Sequence, residues 1–298
     1  MTASGVTSGT GPSPDADPPQ GGVPRDAPSE AGPRAITADQ PAWTRLRWAA
    51  SDAAVVTGRN LRHFVRQPQL LLFSTVQPVM FVLLFAFVFD GAIDVPTDDY
   101  LQYLLPGIFV QSVAFRAAQT AVGLAEDLDR GVIDRFRTLP MARSAVLAGR
   151  TFADLARNVF IVLLMAGVGL ALGFRFETNP WLAVAAILMV SLFGYALSWV
   201  FAYVGLRTKG AEAAQSAGFV VMFPLVFASS VFVPVESMPG WLATFASWSP
   251  ITHAADAARA LSIGSGPALP PTLLSLTSIA VVLAVFVPLS VRAYRRAR

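Results

Sequence analysis

Residues 71–89 read LLFSTVQPVMFVLLFAFVF, nineteen positions without a single charge. Coiled as an α-helix at 1.5 Å per residue, such a run spans about 28 Å, close to the roughly 30 Å of hydrocarbon in a bilayer. Pro78 does not break this reading, because neighbouring helices can satisfy the carbonyl that a proline frees. Working outward, five further runs of the same kind follow: about 102–123 with LLPGIFVQSVAF, 152–173 with NVFIVLLMAGVGLALGF, 180–204 from WLAVAAILMV to FAYVG, 215–233 with GFVVMFPLVFASSVFV, and 272–291 with LLSLTSIAVVLAVFVPLS. Pro106, Pro224 and Pro288 lie in or near these runs. The expected fold is therefore an all-α membrane protein with six transmembrane helices, its membrane domain covering 70–298.

Composition points the same way. Only 14% of the 298 residues are charged, against roughly 25% in a soluble domain, which needs that charge to cover its surface. With no cysteine, thiol chemistry, disulfides and zinc fingers are excluded. The two histidines, His63 and His253, are far apart and belong to no HExxH motif, so no metal site is expected. His253 and Asp256 stand three apart but have no Ser or Cys nucleophile motif beside them, and a catalytic role is set aside. Net charge is +3; because the arginines flank apolar spans, they read as a topology signal and not as a nucleic-acid surface.

The chain before the first span has two characters. Residues 1–39 are rich in Pro, Gly, Ser and Asp and cannot bury enough surface to offset the entropy of ordering, so a disordered tail is expected. They hold no apolar core of a secretory signal. Across 40–69, Trp43, Leu46, Ala50, Ala54, Leu61 and Phe64 alternate with Arg45, Arg47, Arg59, Arg62 and Arg66. That pattern suits an amphipathic helix on the inner membrane surface; a short solvated linker helix is the alternative.

Counting basic residues sets the orientation. Eighteen of the 22 fall before the first span, between spans two and three, between four and five, or after the sixth. The opposite loops carry Arg175 and Arg259 together with seven carboxylates, while Arg116 and Arg157 fall inside spans. Positive-inside bias then places both termini in the cytoplasm, as six spans require. The expected location is the cytoplasmic (inner) membrane of a bacterium. The two halves show no matched interrupted segments, which weakens a secondary-transporter reading.

The loop 124–157, LAEDLDRGVIDRFRTLPMARSAVLAGRTFADLAR, is the most charged stretch. Val132, Ile133, Phe136 and Leu139 recur with helical spacing before Pro140, so a short amphipathic helix is expected there. It offers an apolar knob with a charged rim. The alternative is a solvated loop whose arginines only set topology, but topology alone needs no Phe136. This segment resembles the first cytoplasmic loop of ABC-2 type transporter permeases, and is most similar to the daunorubicin-resistance branch of actinobacteria. The resemblance is carried by Glu126–Asp127, Gly131, Arg135–Arg137, Leu139–Met141, Gly149–Arg150 and Ala153–Asp154, and covers about 60–298. A weaker likeness lies in SPITHAADAARAL at 249–261.

The resemblance implies that 126–140 is a coupling helix docking on a separate ATP-hydrolysing subunit. Glu126, Asp127, Arg130, Gly131, Asp134, Arg135, Phe136, Arg137, Leu139 and Pro140 would form the contact. It also implies a permease homodimer, with ATP and Mg held by the partner and no cofactor on this chain. The residues agree: a P-loop requires GxxxxGK[ST], and the sole lysine, Lys209, stands in RTKGA.

Three further groups complete the expectations. Arg116 and Gln119 in span two, with Asp154 and Arg157 in span three, are expected at similar depth, where a charge is costly. They form either a polar network relaying motion from the coupling helix, or a local Asp154–Arg157 pair beside a snorkelling Arg116. The outer loop 234–270 holds Trp241, Phe245 and Trp248 at i, i+4 and i+7, suited to short interfacial helices; by resemblance these would be re-entrant. Also by resemblance, Phe109, Phe115, Phe219, Met222 and Phe223 are candidates to line a substrate pathway across the dimer. The expected function is an exporter permease for a hydrophobic drug, secondary metabolite or lipid-like cargo in contact with membrane lipid. A polysaccharide or lipid-linked glycan permease and a non-transporting membrane scaffold are the alternatives.

Overall fold

In a computed structural model, residues 68–88, 95, 99–131 and 143–296 are described. The tail 1–39, the expected interfacial helix up to Gln67, and 132–142 of the coupling segment lie outside the described residues. Those described form helices, with no strand among them. In chain order these are α1 (Pro68–Val88), α2 (Tyr100–Asp129), α3 (Arg143–Leu172), α4 (Pro180–Arg207), α5 (Ala211–Phe227), α6 (Gly240–Trp248), α7 (Pro250–Ser262) and α8 (Leu269–Arg296), with a 3-10 turn at Val235–Ser237.

Capping residues explain where the long helices start. Asp99 accepts a hydrogen bond from the Leu101 amide at 2.9 Å, and Asn179 accepts from Leu182 N at 2.9 Å with Pro180 in the first turn. Each cap satisfies a backbone donor that the helix start leaves unpaired. α2 ends on Glu126, Asp127 and Asp129, acidic residues that the negative end of a helix disfavours. Arg130 offsets this by pairing with Glu126 at 3.4 Å, and Gly131 then turns the chain with φ of 66°, a conformation few other residues adopt.

By length and composition, α2, α3, α4 and α8 can each cross a membrane. α1, at 21 residues, matches the first expected span. α2 begins at Tyr100 and ends at Asp129, running past both ends of the expected 102–123, as α8 does of 272–291, and α3 starts nine residues ahead of its expected span. Charged and polar residues prolong the helices beyond the hydrocarbon-length core. The fifth expected span, 215–233, is corrected: the helix stops at Phe227 after 17 residues, and the chain turns through 228–234. The expected outer loop holds two short helices, α6 and α7, and α7 is buried against α2, α4 and α8 instead of lying at the interface.

α2 is the central element, 72% buried over its apolar stretch, whereas α8 is only 17% buried and presents Leu273, Leu274, Val281 and Val285 outward. α2 packs most extensively on α4. They approach closely at Gly205, where a Cβ would come within 2.8 Å of Ala121 Cα. Small residues at such crossings let helix backbones approach in lipid, where no hydrophobic effect drives association. The helices alternate in direction, so one end of the bundle carries Arg130, Arg207, Lys209 and Arg292, and the other carries Tyr100, Phe174, the 228–250 segment and the start of α8. At the arginine-rich end a small cluster of Leu124, Trp199, Leu206 and Tyr294 closes the packing, and the Ser290 hydroxyl ties α8 to Trp199 O at 2.9 Å.

Candidate functional site

Three features of the bundle carry chemistry, and all use α2. The first is a pocket between α2, α3 and α4 on the arginine-rich side, lined by Arg116, Gln119, Thr120, Asp154, Arg157, Asn158 and Ser198. Every lining residue is polar. Thr120 Oγ1 donates to Asp154 Oδ2 at 3.0 Å, joining α2 to α3, and Arg157 pairs with Asp154 at 3.4 Å. Thr120, Asn158 and Ser198 are almost fully buried. The four residues expected to share a depth, Arg116, Gln119, Asp154 and Arg157, thus line one cavity, and the local Asp154–Arg157 pair exists within it. Thr120, Asn158 and Ser198 had no sequence signal, since single neutral polar residues are common in membrane helices.

From this pocket both helices run without a break toward the coupling segment. Nine residues of α2, about 14 Å, separate Thr120 from Asp129, and eleven of α3, about 16 Å, separate Arg143 from Asp154. Of the coupling residues, Glu126 and Asp127 belong to the last turn of α2, and Arg130 and Gly131 to the turn that follows. Asp134, Arg135, Phe136, Arg137, Leu139 and Pro140 lie outside the described residues.

The second feature is a buried arginine at the opposite end. Arg259 on α7, counted from the sequence as an outer-loop charge, is 3% exposed. Its Nε donates to Tyr103 O at 2.9 Å, and one terminal nitrogen donates to Ser230 Oγ at 3.2 Å and to Asp256 Oδ1 at 2.9 Å. The other terminal nitrogen donates to Val231 O at 3.0 Å and to Ser230 O. Its guanidinium carbon sits 3.7 Å from the centre of the Tyr103 ring. Tyr103 and Tyr100 hydroxyls donate to Ser230 O and Phe232 O, each at 3.0 Å. These donors satisfy the carbonyls of the turn that follows α5, Ser230 to Phe232, which is how non-helical backbone is tolerated inside the bundle. Arginine suits the task because its planar fork presents five donors.

The third feature is a run of phenylalanine rings. Phe115 stands 6.1 Å from Phe219, Phe219 stacks 5.6 Å from Phe223, Phe223 lies 4.3 Å from Phe227, Phe227 5.1 Å from Phe232, and Phe232 4.5 Å from Phe85 on α1. Phe219 and Phe223 are about half exposed, as is Val221, and Val220 is more so. Of the pathway candidates, Phe115, Phe219 and Phe223 belong to this run. Phe109 and Met222 do not: Phe109 packs edge-on against Phe174 at 6.3 Å, and both are buried in the core. Nearby, α6 leaves Trp241, Phe245 and Trp248 exposed while Ala246 is buried.

The sequence profile of the ABC-2 type transporter family matches residues 52–262, ending on the last residue of α7. The chain is 37% identical to a daunorubicin resistance ABC transporter permease of Streptomyces coeruleorubidus, over 80% of this chain and 83% of the relative. It is 29% identical to a probable doxorubicin resistance ABC transporter permease of Mycobacterium tuberculosis, over 81% and 87%. A putative transport permease of Cyanophora paradoxa is 25% identical over 70% and 72%.

Proposed function

The chain belongs to the ABC-2 type transporter family, a membrane permease and not an enzyme, and from that premise we propose that it is one half of an exporter pore driven by a separate ATPase. The observation that carries this reading is the polar pocket: two helices that flank the coupling segment meet there and are joined by Thr120–Asp154. A push on 126–140 reaches both helices as rigid levers and is delivered at one shared point. ATP and Mg bind the partner subunit, and this chain holds no cofactor.

The pore forms between two copies of the chain in the cytoplasmic membrane of a bacterium, with six spans (α1 to α5 and α8) and both termini inside. The exposed rings of Phe219 and Phe223, continuous with Phe115, supply a wall that suits a hydrophobic drug, secondary metabolite or lipid-like cargo, since offset and edge-on aromatic contacts are favourable with apolar ligands. The relatives named for resistance to daunorubicin and doxorubicin support the same class. The ordered break after α5, held by Arg259, forms the outer closure of the pathway.

The test is co-purification of the chain with a candidate ABC ATPase subunit. Phe136→Ala is expected to abolish co-purification and cargo-stimulated ATP hydrolysis. Unchanged co-purification and stimulation would remove 126–140 as the docking element.

A further inference from the structure

We propose that the turn between α4 and α5, residues 207–210, is a second contact for the ATPase subunit, continuous with the coupling segment. The inference rests on the reading of 126–140 as the docking element, and adds to it another part of the chain that the same partner touches.

Position comes first. α4 ends where the Thr208 amide donates to Val204 O at 3.0 Å, and α5 opens on Gly210, whose φ of 87° suits glycine. Three residues therefore join the two helices. The turn lies against the end of α2: Asp129 Oδ2 is 3.8 Å from the place that a Cβ on Gly210 would occupy. Asp129 is the last residue of α2, and Arg130 and Gly131 of the coupling segment follow it. Turn and coupling segment thus emerge side by side, and a protein seated on one reaches the other.

Depth decides the kind of partner. α2 has 30 residues, about 45 Å of helix against about 30 Å of hydrocarbon. Measured from Tyr100, the hydrocarbon ends at about Thr120, and Asp129 stands about 14 Å further along the axis. Headgroups take up about 5–8 Å of that distance. The turn beside Asp129 is therefore in water, where a soluble subunit docks and a lipid headgroup does not.

Charge follows the same pattern. Arg130, Arg207 and Lys209 are all exposed. Arg130 is paired with Glu126 at 3.4 Å, and the Arg207 guanidinium carbon stands 5.5 Å from the centre of the Tyr203 ring. Lys209 makes no ion pair among the described residues. Its ammonium is available to carboxylates on the ATPase subunit, and rim charges of this kind steer docking and fix its register.

The mechanical consequence concerns α5. That helix carries the exposed rings of Phe219 and Phe223 and packs on α2 at Gly218, where a Cβ would come within 3.2 Å of Ala118 Cβ. A push on 126–140 reaches α2 and α3. A push on 207–210 reaches α4 and α5 through a three-residue turn. The second contact gives the partner a direct hold on the helix that bears the rings, without relay through Thr120 and Asp154.

The test exploits the absence of cysteine. Arg130→Cys, Lys209→Cys and Ser265→Cys are placed singly in the full-length chain and labelled with a benzophenone maleimide. Each is assembled in detergent with the ABC ATPase subunit that co-purifies with the wild-type chain, irradiated, and the adduct identified by mass spectrometry. Adducts to the ATPase subunit are expected from positions 130 and 209 and not from 265, at the outer end. An adduct from 130 without one from 209 overturns the second contact and leaves the coupling segment in place. No adduct from either removes both. An equal adduct from 265 marks the capture as unspecific and overturns the contact. In the unlabelled chain, Lys209→Glu should weaken binding of the ATPase subunit about tenfold at low salt, with the difference shrinking as salt screens it, while Lys209→Arg stays within about twofold. Unchanged affinity in Lys209→Glu would equally overturn the proposal.

Discussion

Arg259→Ala should destabilise the bundle more than any other single truncation at its outer end. The side chain is 3% exposed and donates to Tyr103 O, Val231 O, Ser230 O, Ser230 Oγ and Asp256. On truncation Ser230 O keeps the Tyr103 hydroxyl, but Val231 O loses the one donor that reaches it among the described residues. An orphaned buried acceptor costs about 1–3 kcal/mol, and breaking a buried charge network from one side costs about 3–5 kcal/mol. Asp256 is 44% exposed and can take up water, which argues for the lower end, about 3 kcal/mol. At about 2–4 °C per kcal/mol for a chain of this size, the midpoint of heat denaturation in detergent should fall by about 6–12 °C. Tyr103→Phe is the control. It keeps the ring under the guanidinium and removes one hydrogen bond of 3.0 Å, for about 1 kcal/mol. The reasoning is refuted if Arg259→Ala melts within the shift produced by Tyr103→Phe.

Other perturbations test separate parts of the account. A double-mutant cycle with Thr120→Val and Asp154→Asn should return a coupling of about 1.5 kcal/mol in unfolding experiments, the value of a hydrogen bond to a charged group; a coupling near zero would disconnect α2 from α3. Gly205→Val drives a side chain into the Ala121 backbone, and should lower stability by about 1–3 kcal/mol through overpacking, seen as a lower melting midpoint. Phe223→Ala removes a half-exposed ring between Phe219 and Phe227, so efflux of an aromatic drug should drop while stability changes by about 1 kcal/mol or less. Because the chain has no cysteine, Lys209→Cys and Ser265→Cys report topology directly: an impermeant thiol reagent added to intact cells should label only the second.

The four long apolar helices were legible because hydrocarbon thickness imposes a length that 180–204 or 272–291 displays openly. The fifth expected span was misread past Phe227 because the turn that follows, ASSVFV at 228–233, is itself apolar, and hydropathy does not reveal that its carbonyls are served by Arg259 and two tyrosines. Arg259 was missed for a related reason: charge counting takes a loop arginine to be wet. Its neighbours hold the signal that could have found it. Ala254, Ala255, Ala257, Ala258 and Ala260 make α7 small on nearly every side, as a helix wedged between others must be. In the polar pocket, the i, i+3 spacing of Arg116 with Gln119 and of Asp154 with Arg157 put the charged residues within reach of one another, but nothing marked Asn158 or Ser198. On α5 the period separates two faces. Gly218, Met222 and Val226 form the buried one, and Phe219, Phe223 and Phe227 the ring-bearing one beside it, so listing Met222 with Phe219 and Phe223 ignored the helical register.

The central claim is ATP-driven movement of an apolar cargo through a pore made by this chain. Inverted membrane vesicles containing the chain and a candidate ABC ATPase subunit, given Mg-ATP and a fluorescent planar drug, test it most directly. The account predicts ATP-dependent accumulation of the drug, abolished by Phe136→Ala in this chain and by a hydrolysis-deficient ATPase alike. Accumulation that persists without ATP hydrolysis, or that is unaffected when this chain is omitted, would contradict it.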